Sequence, residues 1–222
     1  MSEPELLGDA HFWIGCISII AGFTAFAARK GNAVHRAAGV IFIVAMVLLT
    51  ASGLWLSIAR EILFTVFLSA IAFHAVATGW AAAALEKPFG RLTTKASPAL
   101  SGSIVLGAVY GGMHAAAAPS GMLNDLPPGA FYTVAGISFF IFVFDIVFVL
   151  AEGPAEQRRM TRHLWRMGFS FFLATGIFFF GNNHVLPEML RTPALLSAPI
   201  IAIVLWTLFY TFSTRFSKRA PG

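Results

Sequence analysis

The chain of 222 residues is 58% apolar, counting Ala, Val, Ile, Leu, Met, Phe, Trp, Tyr and Cys, and only 11% charged, with 23 phenylalanines. A soluble domain is roughly 45–50% apolar and about 25% charged, so this composition excludes a soluble enzyme, a nucleic-acid-binding module and a disordered chain. The net charge of +5 belongs, in a membrane chain, to basic loops rather than to a nucleic-acid partner.

A helix that crosses the hydrocarbon needs about 20 mostly apolar residues. Such segments run over 10–28, 37–59, 61–85, 99–118, 130–151, 164–182 and 194–213. They predict a single all-α domain, a bundle of seven transmembrane helices in contact with a lipid bilayer. The acidic amino terminus lacks the basic start of a signal peptide, so the first segment reads as a helix that is retained. Within it, the lone Cys16 excludes an intrachain disulfide and reads as a small buried thiol. The segment ends at Arg29-Lys30-Gly31-Asn32. Only Arg60-Glu61 divides the second and third segments, which predicts a tight helical hairpin. Pro88, Gly90 and Pro98 are expected to bound a loop before the fourth. Pro127-Pro128-Gly129 and Gly153-Pro154 mark the turns around the fifth, and Pro187 and Pro193 bracket the last connection. Residues 20–27 and 77–84 show a weak similarity, consistent with a parallel repeat of helices 1–2 and 3–4.

Charge gives an independent check. Alternating through seven crossings leaves only Arg60 and Arg191 on the amino-terminal side, with the other 13 of the 15 Lys and Arg residues opposite. Basic residues collect in cytoplasmic loops. The expected topology is therefore an inner-membrane protein with its amino terminus outside and its carboxy terminus cytoplasmic.

Ionisable groups inside a span are costly and are functional candidates by default. Asp145, in Phe-Val-Phe-Asp-Ile-Val-Phe, lies roughly 9 Å inside the cytoplasmic boundary at helical rise. Arg166, near the start of the antiparallel sixth helix, falls at a comparable depth. The expectation is an Asp145–Arg166 ion pair with His163 or Arg162 nearby, serving as a structural clamp or as a proton or anion site. Of six histidines, His74 is central to helix 3 and His114 lies in the outer part of helix 4, sharing a face with Ser103 and Gly107. His35 and His163 lie at the cytoplasmic rim, His11 and His184 at the outer rim. Two imidazoles at one depth on different helices could hold a haem b. His35/His163 and His11 with His114 or His184 meet that condition. Zinc would need Asp9, His11, His184 and Glu188 to converge on the outer face. Seven-helix zinc hydrolases of the ceramidase and progestin-receptor type carry histidines at short helical spacing, and no His-x-x-x-His occurs here. Nor does any nucleotide-binding loop or His-Glu-x-x-His motif, and the absence of a lysine within a span excludes a retinal Schiff base. The run Phe169, Phe171, Phe172 and Phe178 to Phe180 reads as core and lipid-facing surface.

Val34-His35-Arg36-Ala37-Ala38-Gly39, opening helix 2, and Arg162-His163-Leu164-Trp165-Arg166-Met167-Gly168, opening helix 6, resemble recurring elements of a bacterial family of predicted multi-pass membrane proteins of unknown function. Ala174-Thr175-Gly176, Phe178-Phe179 and Gly181-Asn182 extend the likeness. The resemblance implies membrane topology and no activity, but it singles out His35, Arg36, His163, Arg166 and Met167 as one cytoplasmic-side cluster. Three functions are open at this point. A redox-associated protein would hold haem b or a quinone head group on His35 and His163, with Arg36 or Arg166 countering its charge. A small-solute or proton-coupled transporter would gate with Asp145 and Arg166 along a path lined by His74 and His114. A non-catalytic scaffold would use every polar group structurally. Enzymatic activity stays undecided, and a membrane partner subunit or a homo-oligomer stays open.

Overall fold

The computed structural model describes residues 3–151 and 155–216, which form seven long helices and, among the described residues, no strand. They are α1 (Glu3–Ala27), α2 (Ala33–Ala59), α3 (Leu63–Ala83), α4 (Pro88–Ala117), α5 (Pro128–Leu150), α6 (Glu156–Gly181) and α7 (Pro193–Phe216). Two 3-10 turns, Asn183–Val185 and Glu188–Leu190, join α6 to α7. All seven helices are long and apolar enough to cross a membrane, and the chain is a multi-pass membrane protein. The expected turn at Gly153-Pro154 and the basic residues Lys218 and Arg219 lie outside the described residues.

Local chemistry sets the helix ends. Asn32 caps α2, its Oδ1 accepting from the His35 backbone N–H at 2.8 Å. Pro88, Pro128 and Pro193 each stand first in their helices, where the missing N–H costs nothing. The turn between α2 and α3 is as tight as expected, with Glu61 at φ 54. Asn124, far along the chain, closes it. Its Oδ1 accepts from Leu63 N at 3.1 Å and its Nδ2 donates to Glu61 O at 2.9 Å. The first free donor of α3 is thus satisfied from the loop between α4 and α5.

The largest departure from the sequence expectation is α4, which starts at Pro88 and runs through Pro98 rather than beginning after it. Proline at 98 removes the N–H that would bond the carbonyl of Thr94. Ser97 Oγ donates to that carbonyl at 2.8 Å instead, the kind of side-chain rescue that lets proline persist in a membrane helix. The sixth helix likewise begins at Glu156, well before 164, because polar residues leaving the hydrocarbon can continue a helix. The thiol of Cys16 is half-buried rather than buried.

α3 is the central element, touching α2, α4, α5 and α6. One core cluster joins α1, α2, α3, α6 and α7 around Phe42, Met46, Val76 and Phe171. A second joins α3, α4 and α5 around Phe67, Ala108 and Phe131. Helices α3 and α6 approach closely at Gly79, where an added Cβ would lie 3.0 Å from the Arg166 Cβ, so the missing side chain is what brings Arg166 against α3. In contrast, α5 packs on α4, and α6 on α3 and α7. Consecutive in sequence, α5 and α6 stand apart, with a cleft between them.

Candidate functional site

Asp145, on α5, is fully buried with both oxygens engaged. Oδ1 accepts from Arg166 Nη2 at 2.6 Å and from Arg162 Nη2 at 2.8 Å. Oδ2 accepts from Ser101 Oγ at 2.9 Å and lies 2.9 Å from His74 Nε2. Arg162 Nη2 also donates to Ser97 Oγ at 3.0 Å, and His74 Nε2 approaches Ser97 O at 3.3 Å. Because every neighbour of Nε2 is an acceptor, His74 carries its hydrogen on that nitrogen. α3, α4, α5 and α6 therefore each contribute to one cluster inside the apolar bundle.

Helical spacing explains how the cluster assembles. Arg162 and Arg166 are four apart on α6, and Ser97 and Ser101 four apart on α4, so each pair shares a face. Gly79 lets α6 close onto α3 above them. Against two guanidiniums stands one carboxylate, which leaves the cluster with a surplus positive charge. Arg162 Nε and Nη1 have no hydrogen-bond partner, although its side chain is only 7% exposed. A buried donor without an acceptor is uncommon and calls for an explanation. Arg162 and Arg166 both line the cleft between α5 and α6, whose volume is about 930 Å³.

The expected Asp145–Arg166 pair is present, and its neighbour is Arg162. His163 turns elsewhere, its Nδ1 2.9 Å from Gly79 O. His35 behaves alike, with Nδ1 2.9 Å from Ala25 O, so each imidazole ties the start of its helix to a neighbouring one. Neither lines the α5–α6 cleft or the smaller cavity between α1, α2, α3 and α6. Arg36 donates from Nη1 to Gly31 O at 2.6 Å and is exposed.

His74 and His114 do not share a path. His114 is exposed and stacks on Tyr110 at 6.0 Å between centroids. Ser103 is exposed with it, and α4 instead packs through Ser101, Ile104, Ala108, Gly111 and Ala115. The outer zinc set does not assemble either, and among the described residues no three His, Cys, Asp or Glu side chains come together. His11 turns inward, its Nδ1 2.8 Å from Ser52 Oγ, while His184 and Glu188 stay on the 3-10 turns.

Sequence reading missed two members of the cluster, Ser97 and Ser101, and the joining of His74 to Asp145. The available signal was the four-residue spacing of small hydroxyls on α4, at a depth matching His74. No protein-family profile, curated protein or solved structure matches this chain.

Proposed function

We propose that this protein is a proton-coupled carrier of an anion, lying in the inner membrane with its amino terminus outside and its basic face cytoplasmic. Arg162 and Arg166 receive the anion, and Asp145 with His74 carries the proton. The observation that supports this reading is a fully buried carboxylate shared by two arginines, one of which lines a cleft and has buried donors without a partner.

The charge balance favours coupling. With Asp145 ionised, the cluster holds a surplus of one positive charge. An anion that joins the arginines while Asp145 takes up a proton leaves that surplus unchanged. Moving either ion alone would alter the charge buried in a low-dielectric region, which is costly. Entering together, the two avoid that change. His74, 2.9 Å from Oδ2, is placed to hand the proton over.

The test is proton movement into vesicles reconstituted with purified protein and loaded with a pH-sensitive dye. Inward gradients of short alkyl phosphates supply the anion, with inorganic phosphate as the comparison. The carrier acidifies the vesicle interior faster than protein-free vesicles do, and Asp145→Asn removes the acidification. Equal rates with and without protein for every anion, or an unchanged rate in Asp145→Asn, would sink the reading. A visible spectrum of the same sample tests the redox alternative. That alternative draws on the free Nε2 atoms left when His35 and His163 use Nδ1 on backbone carbonyls. A band that shifts on reduction and disappears in the His35/His163 double variant would put it first.

A further inference from the structure

We propose that the cleft between α5 and α6 binds an anionic lipid, its head-group oxyanion on Arg162 and its hydrocarbon along the cleft wall, reached sideways from the leaflet at the loop between α5 and α6. The inference deepens the carrier reading by naming the class of anion. It rests on that reading's arginines and concerns the binding step alone.

Arg162 is short of hydrogen-bond acceptors. Its Nη2 is spent on Asp145 and Ser97, and one face of its guanidinium lies 4.1 Å from the Phe148 ring centroid. The remaining three of an arginine's five N–H bonds, on Nε and Nη1, are buried and meet no acceptor; since Arg162 lines the cleft, a turn of its guanidinium would present them to an oxyanion there. Oxygens of an anionic head group are the natural partners for such donors. The described lining of the cleft includes Arg158, Arg162 and Arg166 and no acidic side chain, so the cleft attracts anions along its length.

The size and walls of the cleft select an amphiphile over a soluble ion. A volume of about 930 Å³ far exceeds what a small inorganic anion occupies and is at the upper end for ligand sites. Phe140, Phe144 and Val147 on α5 are 65%, 66% and 57% exposed, and Trp165 on α6 is 45% exposed. All four line the cleft. This is an apolar wall on the bilayer side, open where α5 and α6 fail to pack. Gln157 and Arg158, at the start of α6, complete the lining at head-group level, where basic groups between helices meet anionic lipid heads.

The full-length protein is purified from bilayers of equal parts phosphatidylglycerol and phosphatidylcholine, and retained lipid is counted by native mass spectrometry. Wild-type protein retains phosphatidylglycerol over phosphatidylcholine by about tenfold, the ratio that one charge-assisted contact supplies. Arg162→Lys keeps a positive charge but loses the donors, and it brings the ratio close to parity. Val147→Trp fills the cleft without touching the Asp145 cluster and also lowers retention, so the test survives if Arg162→Lys fails to fold. Equal retention of both lipids by wild-type protein, or phosphatidylglycerol retention unmoved by Val147→Trp, overturns the proposal. So does displacement of the lipid by inorganic phosphate, which would make a soluble anion the occupant. Preferential retention without Asp145-dependent proton movement overturns the carrier reading alone. Proton movement without a lipid preference overturns this proposal alone.

Discussion

At the scale of single residues, Asp145 is the group on which the most depends. Removing one partner from a buried ion pair leaves an uncompensated charge and costs about 3–5 kcal/mol. Asp145→Ala would strand two buried guanidiniums and is expected to lower thermal stability in detergent by that order. Replacing Asp145, Arg162 and Arg166 together by leucine removes the charges with the pair, and the triple variant is expected to recover most of the loss. It would fold and carry nothing. A thermal melt of the three-leucine protein no better than that of Asp145→Ala would mean the cluster stabilises through more than charge pairing. Half of this site was legible in the sequence. An acid six residues from a helix end and an arginine near the start of the next helix lie at one depth by arithmetic alone. His74 and Ser101 were not legible as partners, because the azimuth at which α3 and α4 face α5 is set by tertiary packing, notably around Phe67 and Phe131. The partners of the rim histidines were hidden for the same reason, since the carbonyl that His163 Nδ1 meets, Gly79 O, lies on another helix.

At the scale of elements, Lys30 shows how a loop residue joins helices. Its Nζ donates to the carbonyls of Ala25 and Phe26 at 3.1 and 2.8 Å, closing α1, and sits 4.3 Å from the Tyr210 ring centroid on α7. Burial against these groups pulls the Lys30 amine down to about 8. The unfolded chain holds that proton up to the ordinary lysine value of about 10.4. Between those two values the unfolded state binds more protons, so the contribution of Lys30 to stability rises with pH across that window. Solvent reaches part of the amine, and the gain is small. Labelling is the sharper measurement. The rate at which Lys30 reacts with an amine reagent, followed by mass spectrometry of the intact protein, is expected to rise with a midpoint near pH 8. A midpoint in the ordinary lysine range would show that the loop does not bury it. The seven helices were legible because apolar runs of membrane length admit no other reading. The start of α4 was hidden because Pro98 reads as a boundary unless one knows that Ser97 bonds the carbonyl of Thr94.

At the scale of the whole molecule, the two faces differ in how many basic groups they carry. On the amino-terminal side Arg191 is consumed locally, donating to the carbonyls of Leu186 and His184 at 2.9 and 2.8 Å, and Arg60 lines the smaller cavity. On the opposite side Arg29, Arg36, Arg91 and Arg158 are exposed. Such a difference orients a chain during insertion, and the proposed orientation, with the carboxy terminus cytoplasmic, would put the Asp145 cluster in the cytoplasmic half of the bilayer. Cys16 is the only cysteine, so a variant without it accepts single cysteines elsewhere for mapping. A cysteine at Ser120, in the exposed turn after α4, is expected to react in intact cells with a maleimide that cannot cross the membrane. A cysteine at Gly31, on the other face, is expected to react only after the cells are opened. The reverse pattern would invert the protein in the membrane and would leave the cluster intact. Asp145 keeps its depth relative to the loop between α5 and α6 in either orientation. Only the compartment from which that cluster draws its proton would change.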